Sequence, residues 1–137
     1  MKKTIVAGLL TGVAILVVGV VWRQLQNLIL PSVETEYQNL NLFRPWSDPI
    51  MSLYYLYPFI LGIILAWLWK RYLNLTGGNA NLRKAINFSV TYWIVTLPGM
   101  VISYSSYPIS IAMISSWTIN GLISSLVAGL VLFRLFR

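Results

Sequence analysis

Four long runs of apolar residues, separated by short polar segments, dominate the chain. The runs cover about residues 4–22, 49–69, 85–104 and 108–133. Each is close to or above the roughly 20 residues that an α-helix needs to cross a hydrocarbon core about 30 Å thick. Their polarity does not alternate from one residue to the next, as it would in a transmembrane strand. The pattern therefore predicts an all-α protein, a transmembrane four-helix bundle that forms a single membrane domain over residues 1–137.

The composition supports a lipid environment. Hydrophobic residues make up 58% of the chain and charged residues 9%, with a mean hydropathy of +0.73. A protein this apolar cannot cover itself with a water-compatible surface. The net charge of +7 would point to nucleic acid in a soluble protein, but here the charges sit in short clusters between apolar runs. We therefore expect the lipid bilayer, and not nucleic acid, as the partner.

The distribution of basic residues predicts the orientation of the chain. Eight of the ten Lys and Arg precede the first run, flank the segment between the second and third, or follow the fourth: Lys2, Lys3, Lys70, Arg71, Arg83, Lys84, Arg134 and Arg137. Short basic segments stay on the cytoplasmic side of a membrane. We expect an N-in/C-in protein of the plasma membrane with short connecting loops and a longer outer loop after the first helix.

The N-terminal segment has features of a secretory signal peptide, with Lys2 and Lys3 before an apolar run. The run is long for that role, and it ends at Trp22 and Arg23 without a small-x-small cleavage site. We expect it to be a retained signal anchor. Its helix could continue for a turn or two to Leu30, before Pro31 stops it.

The outer loop offers a candidate contact surface. Ser32 is suited to cap a short helix in which Val33, Tyr37 and Leu40 share one face, lying along the membrane interface. In the following corner, Asp48 precedes Pro49 as an N-cap precedes the first helical position. The residues predicted to form the outer-loop contact are Arg44, Trp46 and Asp48, with Arg44 and Asp48 as a possible ion pair. Interface anchoring and binding of a partner or lipid headgroup are the two interpretations.

Small residues recur every four positions in three of the runs. Gly8 and Gly12 do so in the first, Gly62 and Ala66 in the second, and Gly121, Ser125 and Gly129 in the fourth. Such rows allow close approach of membrane helices, and hydroxyl groups can bond across the contact. Packing within a four-helix bundle and a homo-oligomer seam through the fourth helix both fit this pattern.

A group of polar and aromatic residues is expected near the middle of the membrane: Tyr92, Trp93, Thr96, Trp117 and Asn120. Indole, phenol and amide groups removed from water seek partners, so these side chains should face one another and not lipid. They form either a ligand pocket or a satisfied polar network. Pro58 and Pro98 should kink their helices, which is common in membrane helices and is also how hinges are built.

Chemical machinery is scarce in this sequence. There is no Cys and no His, and none of the apolar runs holds an ionisable Asp, Glu, Lys or Arg deep inside it. A proton relay or ion-coupled pump therefore has no obvious carrier, and serine has no base to activate it. We expect no catalytic residue, no metal site and no cofactor.

The corner 42–49, with the sequence LFRPWSDP, together with length and topology, resembles small uncharacterised four-helix integral membrane proteins of prokaryotes. No activity is implied by that resemblance. The sequence favours a non-enzymatic multi-pass protein acting as a subunit, scaffold or small apolar-ligand binder, with a homo-oligomer or a membrane-protein partner possible. A transporter or facilitator of small uncharged or lipidic molecules is the alternative, and a membrane enzyme ranks third.

Overall fold

The structure is a computed structural model that describes residues 2–137, and within that range it contains helices and no strand. The α-helices are α1 (Lys2–Ile29), α2 (Pro31–Tyr37), α3 (Ser52–Leu75), α4 (Leu82–Ser106) and α5 (Ile111–Phe136), with a 3-10 turn at Pro49–Met51 before α3. Helices α1, α3 with its preceding turn, α4 and α5 are long and apolar enough to cross a membrane. The all-helical, multi-pass prediction is confirmed to that extent.

Each long helix extends beyond the C-terminal end of the apolar run that predicts it, whereas α5 begins at Ile111 and not at the predicted residue 108. Helix α1 has 28 residues and ends at Ile29, so at about 1.5 Å per residue it is roughly 42 Å long and exceeds a hydrocarbon core of about 30 Å. The amide of Leu30 still donates to the carbonyl of Gln26 over 2.7 Å, and the chain then turns at Pro31. Backbone hydrogen bonding thus carries the helix past the point where hydropathy falls.

Side-chain caps mark three helix starts. The Asp48 carboxylate accepts from the amide of Ile50 at 2.9 Å, as the sequence predicts. Asn81 accepts from the amide of Lys84 at 2.8 Å at the start of α4, and Ser110 caps α5. Each cap satisfies an amide that would otherwise have no partner within the helix.

The predicted cap of α2 is wrong. Ser32 lies inside the first turn, because α2 begins one residue earlier at Pro31, with Leu30 at the cap and no side-chain hydrogen bond there. Proline fixes φ at the helical value and needs no amide partner, so it starts the helix where it stands. Val33 is fully buried and Tyr37 partly buried on one face, whereas Leu40 is past the helix and exposed.

Helix α1 packs against α3 on one side and against α5 on another, and α4 packs against α5. The α1–α3 contact is the closest, because it is built from glycines. A Cβ atom added to Gly62 would lie 2.3 Å from the carbonyl oxygen of Gly8 and 2.6 Å from the amide nitrogen of Gly12. The two backbones are in contact here. Between helices in lipid, where the hydrophobic effect does not drive association, such a close approach strengthens the dispersion attraction.

The main core lies toward the ends where α3 finishes and α4 begins. Trp69, Leu65 and Leu132 are almost completely buried there. The rings of Trp69 and Phe88 are 5.2 Å apart, and those of Tyr72 and Phe88 are 5.7 Å apart. This aromatic cluster (Trp69, Tyr72, Phe88) joins α3 to α4. A smaller core at the other end of the molecule contains Val33, Ile109 and Met113.

Charge is divided between the two ends of the molecule. The Lys3 ammonium lies 5.2 Å from the centre of the Phe136 ring, so the start of α1 is beside the end of α5. Lys84 donates to the carbonyls of Thr76 and Asn79 and ties the start of α4 to the α3–α4 loop. We call this the cationic end, because it holds the eight basic residues named above. The opposite, mixed-charge end holds Arg23, Arg44, Glu34, Glu36 and Asp48.

Candidate functional site

A cavity of about 280 Å³ lies between the long helices in the half of the molecule nearer the mixed-charge end. All four long helices contribute to its walls. Most of the lining is aliphatic or aromatic, including Ile15 of α1, Leu61 of α3 and Met100 of α4. The size and the apolar character are close to those of pockets for small organic ligands, which start at roughly 300 Å³.

The cavity is bordered by α3 and α4, which make few contacts with each other. These two helices meet at the aromatic cluster near the cationic end, but they make little other backbone contact. Farther along, Tyr57 and Pro58 of α3 form one wall and Tyr92 and Thr96 of α4 form another. Beyond the aromatic cluster, the cavity therefore lies where α3 and α4 make little contact with each other.

A few polar groups line the apolar space. Ser124 donates to the amide oxygen of Asn120 over a long 3.4 Å, and Thr96 donates to the backbone carbonyl of Trp93 at 2.6 Å. Within residues 2–137 the Asn120 amide nitrogen and the Tyr92 phenol have no hydrogen-bond partner. They are therefore free to bond a ligand that enters the cavity, and a buried ligand's polar atom would need such a partner.

Four of the five residues expected near the midplane line this cavity: Tyr92, Thr96, Trp117 and Asn120. Trp93 does not. Its indole nitrogen donates to the carbonyl of Thr118 at 2.9 Å, and its ring lies 3.7 Å from where a Cβ of Gly121 would be. One residue along an α-helix is a rotation of about 100°, so Trp93 faces the α4–α5 contact while Tyr92 faces the cavity.

A second cavity of about 410 Å³ adjoins the first and continues to the mixed-charge end. The two share six lining residues, among them Gly19, Arg23 and Trp117. The second is also lined by Phe43 and Arg44 of the outer loop. Together they make one depression, with the first cavity as its deep apolar part and the second as its mouth.

The mouth carries two cations, and both are paired. Arg23 lies 3.2 Å from a Glu34 carboxylate oxygen and 4.8 Å from the centre of the Trp46 ring. Arg44 bonds Asp48 at 2.8 Å, which is the ion pair considered from the sequence. The amide of Ile50 and the Arg44 guanidinium hold the pKa of the Asp48 carboxyl below its usual value. The mouth therefore has little net charge to attract an ion.

Of the residues predicted for the outer-loop contact, two lie at the cavity. Trp46 lines both parts of the depression and packs edge-on against Tyr54, with ring centres 5.5 Å apart. Arg44 lines the mouth only. Asp48 lines neither and instead caps the turn before α3. The outer loop thus forms the rim of the cavity.

A buried polar network that the sequence did not reveal joins α1 to α5. The Trp22 indole donates to the hydroxyl of Ser116 at 3.0 Å, and that hydroxyl donates to the side-chain oxygen of Gln26. Ser116 and Gln26 are almost completely buried. The only sequence signal was a glutamine one turn from a tryptophan near the end of an apolar run, which is also typical of a membrane boundary.

Helix α2 is held over α5 by two further contacts. The Glu36 carboxylate accepts from the amide of Ser110 at 3.0 Å, and the Trp117 indole donates to the Tyr37 hydroxyl. Burial raises the pKa of the Tyr37 phenol above its usual value. Since Tyr37 and Trp117 both line the mouth, these contacts fix one wall of the depression.

All three rows of small residues make contacts inside the chain. Gly8 and Gly12 meet the backbone of α3, as described above. A Cβ on Gly129 would lie 2.1 Å from the hydroxyl of Ser89 in α4, and the Ser125 residue is 4% exposed. Gly121 faces Trp93 of α4.

The cavity can bind a molecule through shape, apolar contact and a few hydroxyl or amide hydrogen bonds. Within residues 2–137 no group of three or more His, Cys, Asp or Glu side chains is placed to hold a metal ion. Comparison of the chain with protein-family models, curated proteins and solved structures finds no match, so no family is identified.

Proposed function

We propose that this chain is a non-enzymatic, multi-pass protein of the plasma membrane that binds a small uncharged or lipidic molecule in the cavity between α3 and α4. In this proposal α1, α3, α4 and α5 form a single four-helix bundle with both termini in the cytoplasm. The orientation rests on the eight cations at the cationic end, since basic segments stay on the cytoplasmic side. The mixed-charge end then lies outside, and the cavity is in the outer half of the membrane.

The scarcity of contact between α3 and α4 beside the cavity is the observation that carries the proposal. A ligand dissolved in water would need a path from the mixed-charge end, whereas a lipidic ligand reaches the gap between α3 and α4 directly from the outer leaflet. Tyr57 on one side of the gap is 58% exposed and Val95 on the other side is 71% exposed. In a membrane both side chains face acyl chains, so the entrance is continuous with lipid.

The polar groups favour an uncharged ligand. Arg23 and Arg44 are already paired with carboxylates, and an added ionic headgroup would have to break one of those pairs. The Asn120 amide and the Tyr92 phenol suit a hydroxyl or carbonyl oxygen. A neutral amphiphile with one acyl chain and one or two such oxygens, for example a monoacylglycerol, fits this combination of groups.

Photocrosslinking tests the proposal. The purified protein in detergent is exposed to a monoacylglycerol that carries a diazirine on its acyl chain, and the labelled peptides are located by mass spectrometry. Gly19→Leu fills the cavity, because Gly19 lines it and has no atom within 4 Å of a new Cβ. Gly99→Leu is the matched control, since Gly99 also has open space but lies outside the cavity.

We expect labelling on α3 and α4 beside the cavity, saturable and competed by unlabelled monoacylglycerol. Gly19→Leu should lower it roughly tenfold, as expected when a hydrophobic pocket loses space for part of its ligand. Gly99→Leu should leave it unchanged. Labelling spread evenly over the exposed helix faces, or equal loss in both variants, would contradict the proposal.

A facilitator of lipidic molecules is the second candidate, and the positions of two prolines favour it. Pro58 lines the cavity on α3, and Pro98 lies within α4 on the opposite side of the gap. Each proline removes a backbone hydrogen bond from a helix that borders the opening, which eases bending there. A lipid that passes from the cavity to the cationic end has to pass the aromatic cluster that joins α3 to α4, so transport requires the rings of that cluster to move apart. Vesicles containing the protein should then exchange a fluorescent lipid between leaflets faster than empty vesicles. Pro98→Ala, which changes a proline outside the cavity wall, should slow that exchange without lowering crosslinking.

A further inference from the structure

A separate groove lies at the cationic end, on the outside of the α1–α3 contact. Its volume is about 560 Å³, and it is formed by the first turn of α1 and the last turns of α3. The α3 residues that line it are spaced as one stripe of an α-helix: Ile63, Trp67, Lys70, Arg71, Asn74 and Leu75. None of them lines either part of the cavity described above.

The groove changes from apolar to cationic along its length. Ile63 of α3 and Ile5 of α1 lie at the deeper part, and Lys70, Arg71 and Asn74 lie toward the end of the helix. From residue 63 to residue 74 the distance along a helix is roughly 16 Å at about 1.5 Å per residue. A phospholipid changes from apolar to charged over a similar length, from its acyl chain to its headgroup.

The two cations in the groove differ from the two at the cavity mouth. Arg23 and Arg44 each bond a carboxylate, whereas all three acidic side chains of this chain lie at the mixed-charge end, far from Lys70 and Arg71. The guanidinium of Arg71 is 4.4 Å from the centre of the Trp67 ring, which holds it over the groove. The groove thus presents two positive charges that no carboxylate side chain of the protein balances.

We propose that this groove binds one anionic phospholipid of the surrounding leaflet. Its phosphate group contacts Lys70 and Arg71, and its acyl chain lies against Ile5 and Ile63. Arginine and lysine both bond phosphate oxygens, and basic pockets between membrane helices are suited to anionic headgroups. The site is independent of the cavity between α3 and α4, so a failure of one proposal leaves the other intact.

Quenching of Trp67 fluorescence tests the site, because Trp67 lines the groove. The full chain is placed in lipid nanodiscs that contain phosphatidylcholine and a small share of phosphatidylglycerol, with bromine atoms on the acyl chains of one lipid or the other. The contribution of Trp67 is obtained by subtracting the signal of Trp67→Phe. Nanodiscs expose both faces, so the orientation of the chain in a cell does not enter the result.

The variant Lys70→Gln with Arg71→Gln removes the two groove charges. The matched control, Arg83→Gln with Arg134→Gln, removes two charges from the same end of the molecule but from α4 and α5. Each basic residue near a membrane surface contributes about fivefold to the binding of anionic lipid. We therefore expect a clear preference for phosphatidylglycerol in the native chain. The mole fraction of brominated phosphatidylglycerol that quenches Trp67 should be at least tenfold lower than the mole fraction of brominated phosphatidylcholine that gives the same quenching.

The groove variant should lose that preference, and the control variant should keep it. Arg71→Lys keeps the positive charge but removes the guanidinium contact with the Trp67 ring, so this variant should retain most of the preference for phosphatidylglycerol. If the groove and control variants lost the preference for phosphatidylglycerol equally, the preference would come from the overall positive charge of the cationic end and not from the groove. That result would overturn the proposal. The proposal is also overturned if the native chain shows no preference, or if the groove variant retains it.

Discussion

Replacing Gly62 by alanine should push α1 and α3 apart. The new Cβ would lie 2.3 Å from the carbonyl oxygen of Gly8, whereas ordinary contacts begin at 3.4 Å, so the helices must separate by about 1 Å. All three of the nearest atoms belong to the backbone of α1, so no side chain can rotate away. The separation weakens the whole α1–α3 contact and not only one pair of residues.

The expected cost follows from overpacking. Forcing extra methyl groups into a well-packed contact typically costs about 1–3 kcal/mol, and the alanine's better helix propensity offsets at most about 1 kcal/mol in water. Since dispersion between closely packed helices is the main attraction inside a membrane, we expect a net loss near 2 kcal/mol, roughly thirtyfold in the unfolding equilibrium.

The assay is reversible unfolding in mixed micelles with increasing dodecyl sulfate, followed by circular dichroism and tryptophan fluorescence. Gly99→Ala is the matched control: it makes the same chemical change inside a long helix, but no atom lies within 4 Å of the new Cβ. It should be neutral or slightly stabilising. If Gly62→Ala proved as stable as Gly99→Ala, the glycine-mediated contact of α1 and α3 would be refuted.

Three further outcomes are expected. Gly129→Ala should destabilise the protein by about 1–2 kcal/mol through collision with the Ser89 hydroxyl, and adding Ser89→Ala should recover part of the loss in the same micelle titration. The Asp48 cap stabilises the protein above pH 3.8, the usual pKa of the carboxyl, and this contribution is lost as the pH falls through the lower pKa of the folded state. Hydrogen exchange at the Ile50 amide, measured as a function of pH, should show that loss. Asp48→Asn should abolish the pH dependence. Burial raises the pKa of the Tyr37 phenol, so the neutral phenol contributes to stability below pH 10.0, and this contribution is lost as the pH rises through the raised value. In an absorbance titration, the phenolate signal that Tyr37→Phe lacks should appear at a higher pH in the folded chain than in the unfolded chain.

The sequence by itself determined the helical class, the four candidate membrane spans and the separation of charge. A backbone surrounded by lipid must satisfy its hydrogen bonds within each segment, so long apolar runs have to be helices. The cap at Asp48 and its pairing with Arg44 were also accessible, because both partners lie within one turn of chain. Local chemistry of this kind depends on spacing alone.

Only the tertiary structure decided which side of each helix faces the protein. In a membrane, buried and lipid-facing positions are both apolar, so hydrophobic periodicity does not distinguish them as it does in water. Trp93 and Tyr92 therefore looked equivalent in the sequence, although one packs against α5 and the other lines the cavity. The bond from Trp22 to Ser116 joins residues 94 positions apart, and no local pattern specifies it. The gap between α3 and α4 is likewise a result of how four helices of similar composition pack, and it exists only in three dimensions.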